Sequence, residues 1–568
     1  MTAVVEVEGL SISYRTERGL TEAVSDVSFR LQAGQTLAVV GGSGSGKSST
    51  AHAIVGLLPE NAVVTSGRIT VAGHEVLRLS ERRLARIRGS VVGLVPQDPT
   101  VSLDPVQTVG RQIVEALIVH GRQHRRVARA EAVRILERVG IDQPAVRFGQ
   151  YPHELSGGQR QRVLIGIATA CEPQLVIADE ATSGLDVTVQ KRVLDQLETL
   201  AAEQGTAVVL ITHDLGVAAD RSDAILVLDH GRIVEAGATP EVVRNPQHAV
   251  TRRLFDSAPS LAVRSAADRV EDRPSRNSVA AEAHDRPPLI AVRDLRKEFT
   301  LSSAFGPKQR LLAVDGVDFR IPAGGTFALV GESGSGKSTT ARIVAGFEKP
   351  TWGTVSVDGE IVSDLGAAGR RTFRSRVQFV HQNPFASLDP SFRVEDIVAE
   401  PLRSFRVGTP SDRKERAVEL LAAVGLSADL ARRRPAELSG GQRQRVAIAR
   451  ALAIEPELVI LDEAVSALDV VVQREVLDLL AELRERLGVA YLFISHDLAV
   501  VRLVADTVGV LQHGRLVEQG AVERVFEAPE TDYTRELLAA IPGTGSTLRR
   551  PLLLPTTTTT TTTKGTAQ

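Results

Sequence analysis

Gly41-Gly42-Ser43-Gly44-Ser45-Gly46-Lys47-Ser48 returns 290 residues later as Gly331-Glu332-Ser333-Gly334-Ser335-Gly336-Lys337-Ser338. In such a loop, successive backbone N–H groups can turn inward around a β-phosphate, and the N-terminus of a following helix adds positive potential. Lys47 and Lys337 are suited to neutralising β- and γ-phosphates, and the Ser48 and Ser338 hydroxyls to ligating Mg²⁺. Ser49 and Thr339 follow directly and complete the candidate nucleotide-binding set.

Two further polar groups stand at the ends of apolar runs in each half. Leu175-Val176-Ile177-Ala178 leads into Asp179-Glu180, and Leu458-Val459-Ile460-Leu461 into Asp462-Glu463. Aspartates at strand ends suit a metal held through water. In an extended chain the next side chain points elsewhere, so Glu180 and Glu463 are placed to polarise an attacking water as general bases. Ala207 to Thr212 and Ala490 to Ser495 end at His213 and His496, each within Thr/Ser-His-Asp-Leu. These histidines suit a γ-phosphate contact, their neutral and cationic forms sensing its charge; core packing is the plainer alternative.

Leu155-Ser156-Gly157-Gly158-Gln159 matches Leu438-Ser439-Gly440-Gly441-Gln442, and each is followed by Arg-Gln-Arg. Ser156 and Ser439 with their glycines would open a helix and offer N–H groups and a hydroxyl to an anion. A simple glycine turn explains one copy, but not two at equal distance ahead of an acidic pair. Tyr14 and Phe299 precede the first loop strand of each half and either stack on adenine or pack internally.

These groups need a common support. Thr36-Leu37-Ala38-Val39-Val40 and Thr326-Phe327-Ala328-Leu329-Val330 run straight into the glycine loops. Short apolar strands alternating with helical stretches indicate α/β halves with a largely parallel sheet, whose carboxyl edge gathers the polar ends. Between loop and Ser-Gly-Gly-Gln lies a helical insertion: Ala132, Ile135, Leu136 and Val139 match Ala417, Leu420, Leu421 and Val424 at i, i+3, i+4, i+7. The nearby arginines (Arg125, Arg126, Arg129, Arg134; Arg413, Arg416) are interleaved with Glu131, Glu137, Glu415 and Glu419, which favours a solvated face over a nucleic-acid or membrane surface. The duplication divides the chain into a first domain, 1–263, a charged Ala/Ser-rich linker, 264–287, and a second domain, 288–545. The remainder, 546–568, carries a run of eight consecutive threonines (Thr556 to Thr563) and is expected to be a disordered tail, with modification the alternative.

At 568 residues and a formal charge of −2, the chain has room for two cores and no global attraction for nucleic acid or acidic lipid. One cysteine, Cys171, excludes an internal disulfide framework and a cysteine-ligated zinc or iron–sulfur site within one chain; it reads as a small packed helix residue. Met1 to Leu10 lacks a basic start and apolar core, so no signal peptide is expected. Apolar runs fall well short of the roughly 20 residues that span a bilayer, so a cytosolic chain is expected, and a membrane role requires separate membrane-embedded partners.

The glycine loop, the glutamines Gln97 and Gln382, Leu-Ser-Gly-Gly-Gln, strand-borne Asp-Glu, a Ser-x-Leu-Asp loop and a late histidine together resemble the ATP-binding cassette (ABC) ATPases across nearly all of both halves. The resemblance implies two P-loop NTPase domains, each a RecA-like parallel-sheet core with a helical subdomain. It implies ATP and Mg²⁺ as ligands, with Ser48, Gln97 and Asp179, or Ser338, Gln382 and Asp462, around the metal. In the family's sandwich dimer one site would combine Gly44, Lys47, Ser48, Gln97, Asp179, Glu180 and His213 with Ser439 and Gly441. The mirror site would combine Gly334, Lys337, Ser338, Gln382, Asp462, Glu463 and His496 with Ser156 and Gly158. Asp186 and Asp469 would link the two. Ala181 and Ala464 stand where the family usually has proline, and a small geometric effect is expected.

Pro96-Gln97-Asp98-Pro99-Thr100-Val101-Ser102-Leu103-Asp104-Pro105 and His381-Gln382-Asn383-Pro384-Phe385-Ala386-Ser387-Leu388-Asp389-Pro390 resemble the dipeptide/oligopeptide and nickel importer branch. So do the closing strings Thr251-Arg252-Arg253-Leu254 before Ala258-Pro259 and Tyr533-Thr534-Arg535-Glu536-Leu537-Leu538 before Ile541-Pro542. The branch's C-terminal cysteine cluster is missing, so no iron–sulfur cluster is expected. The implied role is the energy-coupling ATPase of an importer at the cytoplasmic face of the membrane, working with two permease subunits and an extracytoplasmic solute-binding protein, without nucleic acid. Peptide is the implied solute, with nickel or other small solutes open. The alternative is a soluble tandem ATPase acting on ribosomes or nucleic acid; such factors usually carry a long charged helical arm, which 264–287 is too short to be. An exporter or a sugar-importer ATPase is a third reading, although the sugar type often has one degenerate cassette and neither is degenerate here.

Overall fold

The computed structural model describes residues 3–16, 19–122, 124–182, 184–261, 288–301, 309–382, 387–466 and 468–543. The expected linker, 264–287, the tail, 546–568, and Asn383 to Ala386 lie outside them. Two compact units emerge: one of 3–182 and 194–255, the other of 184–193 and 256–543.

In the first unit, six strands run in the order Arg232–Ala238, Ala224–Asp229, Thr36–Val40, Ala207–Ile211, Leu175–Asp179 and Val92–Val95. All neighbours are parallel except the edge pair Arg232–Ala238 and Ala224–Asp229. Thr36–Val40, Leu175–Asp179 and Ala207–Ile211 are buried at every position, as continuous apolar runs in a sheet covered on both faces should be. The second unit repeats this order with Val377–Val380, Leu458–Asp462, Ala490–Ile494, Thr326–Val330, Thr507–Gln512 and Arg515–Ala521.

Each unit also holds a four-stranded antiparallel sheet that the expectation of a largely parallel architecture omits. In the first it is built from Gly19–Gln32, Ala3–Thr16, Ala62–Val71 and His74–Glu75; in the second from Gln309–Ile321, Ile290–Leu301, Trp352–Val357 and Glu360–Ile361. One apolar cluster joins the two sheets of the first unit: Val7, Leu10, Ile12, Val24 and Ile69 meet Leu37, Ile177, Val209 and Leu226, with Ile54 of the loop's helix between. Burial of this shared face makes the antiparallel sheet part of the support of the glycine loop.

The helical insertions form as their periodicity predicts. Helix Arg125–Arg138 buries Ala132, Ile135 and Leu136, and helix Pro410–Ala423 buries Ala417, Leu420 and Leu421. Val139 and Val424 are buried just beyond the helix ends. Among the described side chains of these faces, Arg134 pairs with Glu131 and Arg416 with Glu419, both at 3.1 Å, while Arg129 lies over the Phe148 ring at 4.8 Å. The side chains of Arg125 and Arg126 are outside the described set. Cys171 is buried but sits past the end of helix Gly157–Thr169, so it is not a helix residue as expected; its Sγ lies 3.6 Å from Ala116 O.

Candidate functional site

The glycine loops connect a strand to a helix that begins at the lysine itself, Lys47–Val55 and Lys337–Val344. Gly41 and Gly331 have φ of 152° and 146°, and a Cβ there would meet Leu228 O at 2.1 Å or Leu511 O at 2.2 Å. Only glycine lets the backbone enter the loop at that separation. Lys47 Nζ donates to Gly41 O at 2.9 Å and Gly42 O at 2.8 Å; Lys337 Nζ donates to Gly331 O at 2.7 Å and Glu332 O at 2.8 Å. Both lysines are buried, and burial pushes the Lys337 ammonium below its ordinary value although Asp186, Glu463, Asp462 and Glu332 oppose the shift. The Ser45 and Ser335 hydroxyls are buried inside the loops with no hydrogen-bond partner. A buried ammonium and orphaned hydroxyls inside a cradle of N–H groups fit a polyphosphate anion.

Beside each loop, Ser48 Oγ donates to Asp179 Oδ1 at 3.2 Å, and Ser338 Oγ to Asp462 Oδ1 at 3.1 Å. Burial raises both carboxylates above the usual range, against the opposing influence of the serines and nearby cations. Hydroxyl and carboxylate oxygens in contact form a hard donor set that fits Mg²⁺. Sequence reasoning missed a neighbour here: His52 Nε2 lies 3.8 Å from Asp179 Oδ2, and its counterpart Arg342 acts electrostatically on Asp462. The signal was available, because both residues stand five places after the loop lysine.

Glu180 and Glu463 depart from the extended conformation expected of them. Their φ values are 47° and 49°, the left-handed region, while their N–H groups donate to Ile211 O and Ile494 O at 3.0 Å. Strand pairing holds the peptide as the chain turns sharply, a costly conformation for a residue with a side chain. The turn brings the carboxylates to the expected glutamines and histidines. Gln97 Nε2 donates to Glu180 Oε2, and Gln382 Nε2 to Glu463 Oε2, each at 2.6 Å. His213 Nδ1 is 3.6 Å from Glu180 Oε2, and His496 Nδ1 is 3.3 Å from Glu463 Oε1. Contact with His213 holds Glu180 below the usual carboxylate value, against burial. In Glu463 burial pushes upward and His496 with Lys337 overcomes it. Burial disfavours charge on both histidines, but the glutamates outweigh it and raise their pKa.

Both histidines are presented by the same turn. Thr212 Oγ1 accepts from Asp214 N and Ser495 Oγ from Asp497 N, each at 2.9 Å. Asp214 and Asp497 then cap the helices Leu215–Arg221 and Leu498–Val504.

Ser156 and Ser439 open helices Gly157–Thr169 and Gly440–Leu452, as expected. Gln159 and Gln442 are engaged differently from the ligand contact expected of them. Each donates its backbone N–H to the serine hydroxyl at 3.3 Å, while its side-chain oxygen accepts from the serine N at 3.0 Å. This is a capping box, readable from Ser-x-x-Gln. It leaves Gly157 and Gly440 open, with nothing within 4 Å of a Cβ at either.

Tyr14 OH hydrogen-bonds Ser49 Oγ at 2.8 Å while its ring packs on the core, and Phe299 carries the Lys297 ammonium 5.0 Å from its ring centre. Asp469 caps helix Val470–Leu487 through Val472 N. Asp186 belongs to the second unit, where its Oδ1 accepts from Ser333 N at 2.7 Å.

A family model described as "ABC transporter" matches residues 24–183 and again 314–466, more than half of the chain. A second, "Oligopeptide/dipeptide transporter, C-terminal region", matches 517–565. Oligopeptide transport ATP-binding protein OppD of Mycobacterium tuberculosis is 41% identical over 95% of this chain and 99% of its own length. Glutathione import ATP-binding protein GsiA of Escherichia coli (strain K12) is 40% identical over 96% of this chain and 91% of its own. Matched twice by that model and along nearly its whole length by these ATP-binding proteins, the chain belongs to the ABC transporter family of ATP-hydrolysing proteins.

Proposed function

We propose that this chain is the ATP-hydrolysing subunit of an importer for peptides, glutathione-like peptides included. The observation that carries the reading is the two complete constellations of loop lysine, serine, aspartate, glutamate, glutamine and histidine, in a chain whose relatives are named for oligopeptide transport and glutathione import. No described helix is long and apolar enough to cross a membrane. The chain works beside permeases, two in number, at the cytoplasmic face, with an extracytoplasmic solute-binding protein delivering the solute. The ribosome and nucleic-acid alternative finds no support among these relatives.

In each unit the glycine-loop N–H groups and Lys47 or Lys337 hold the ATP phosphates. Ser48 with Asp179, and Ser338 with Asp462, would hold Mg²⁺, which when bound neutralises charge on the phosphate oxygens. Glu180 and Glu463 take the proton of the attacking water, oriented by Gln97 and Gln382. His213 and His496, whose pKa contact with those glutamates raises, face the developing γ-phosphate charge. The test is reconstitution of the chain with its permeases and binding protein in liposomes. Peptide uptake that requires ATP and Mg²⁺ is expected; hydrolysis stimulated by ribosomes and not by peptide-loaded binding protein would overturn the reading.

A further inference from the structure

The second glycine loop has a support that the first lacks, and it comes from the far end of the chain. Glu332 N donates to the Tyr533 hydroxyl at 3.3 Å, across 201 residues of sequence. The same peptide unit is held from its other side, since Gly331 O accepts from Lys337 Nζ at 2.7 Å.

Tyr533 is itself rigidly mounted. It lies in the first turn of helix Asp532–Ala539, whose cap Thr531 accepts from Thr534 N at 3.2 Å. The buried Glu518, on strand Arg515–Ala521, accepts from Glu530 N at 2.8 Å and from Thr531 N and Oγ1 at 3.1 Å. The tyrosine ring packs against the apolar cluster that contains Leu537, Val522 and Val525. Burial, with Glu332, Asp186 and Glu536 nearby, pushes its hydroxyl up to about 12, so it keeps its proton.

The first unit has the clamp without the tip. Glu235 accepts from Gln247 N at 2.8 Å and His248 N at 2.9 Å, ahead of helix Ala249–Ser257. The position matching Tyr533 is Val250, and the position matching Glu332 is Gly42. An apolar side chain there has no hydroxyl to offer the loop.

We infer that Tyr533 is a positioning residue for the second ATP site: its hydroxyl fixes the Glu332 peptide and presets the phosphate-binding loop, so that the two sites differ in nucleotide affinity. Preorganising the loop lowers the ordering cost of binding. The effect reaches the nucleotide through backbone and not by direct contact. The inference rests on the nucleotide reading of that loop.

The test uses the full chain with Lys47→Ala, which leaves the second site to report, and a fluorescent ATP analogue titrated at equilibrium. Tyr533→Phe removes one hydroxyl and keeps the ring. Affinity should fall about threefold to tenfold, the range for one lost hydrogen bond, with the thermal midpoint unchanged. In a Lys337→Ala background, where the first site reports, Tyr533→Phe should leave affinity unaltered. Equal affinity with and without the hydroxyl in the Lys47→Ala background would overturn the inference, as would equal weakening in both backgrounds, which marks a general structural effect. Absence of binding by the otherwise unmodified chain would instead overturn the nucleotide reading, and this inference with it.

Discussion

Gln97 Nε2 donates to Glu180 Oε2 at 2.6 Å, and Gln382 repeats the bond to Glu463 at the same distance. In both units a neutral amide and an imidazole grip one carboxylate. The amide orients the glutamate without neutralising it, while the histidine keeps it ionised. A base so held is ready to accept a proton in a fixed direction.

Glu180→Gln with Glu463→Gln should lower ATP turnover by about 100-fold or more, the usual loss on removing a general base, with nucleotide binding retained. Steady-state hydrolysis and equilibrium binding separate the two. Full turnover in the double variant would remove these glutamates from the base role.

The histidine–glutamate pairs also set a pH dependence. His213 and His496 are raised above the ordinary 6.5, so the folded chain binds protons that the unfolded chain releases. Their contribution to stability is full below about pH 6.5 and is lost as pH rises through the raised folded values. Glu180 and Glu463, held low, act with the opposite sign: their contribution exists above 4.5 and is lost as pH falls through the folded values. Urea unfolding of a His213→Ala, His496→Ala variant should decline less steeply from pH 6.5 upward than the parent. An identical slope would refute the linkage.

Gly41→Ala and Gly331→Ala should each destabilise by about 2 kcal/mol or more, because a left-handed alanine would also strike a carbonyl oxygen that belongs to a buried strand. Thermal unfolding checks this. A shift within error would mean the loop entrance relaxes freely.

Ser48→Ala and Ser338→Ala together should raise the Mg²⁺ concentration for half-maximal hydrolysis by about tenfold or more, as expected for a lost metal-site group. Excess Mg²⁺ should recover part of the rate. An unaltered Mg²⁺ titration would place the metal on other oxygens.

Helices Gly157–Thr169 and Gly440–Leu452 differ at one buried amide. Gln161 Nε2 donates to Pro96 O at 3.3 Å, while in the second unit Gln444 Nε2 is buried without a partner and His381 stands at the proline's position. Gln161→Met should cost about 1 kcal/mol, but Gln444→Met should be neutral or stabilising, since it removes an unsatisfied group. Equal losses would contradict the asymmetry.

Much of the site is local in sequence and therefore legible. The glycine loops, strand-end carboxylates and histidine turns each lie within a few residues, and the central strands announce themselves as continuous apolar runs. The antiparallel sheets do not. Ala3–Thr16 mixes polar and apolar residues, and its pairings shift register between Val7 and Leu10 and between Glu8 and Ser11, which breaks the alternation that would reveal a strand. The left-handed glutamates were hidden too, because strand pairing and not residue type imposes that conformation. Tyr533 reaching Glu332 has no local signature at all. Only folding brings them together.

The backbone of Glu180 and Glu463 has a consequence for how this protein would respond to selection. Glycine, or asparagine, fits a φ near +50° with less strain than glutamate does. A library of this chain screened for heat resistance alone should therefore discard the two glutamates early and yield hardier molecules that bind ATP and do not turn it over.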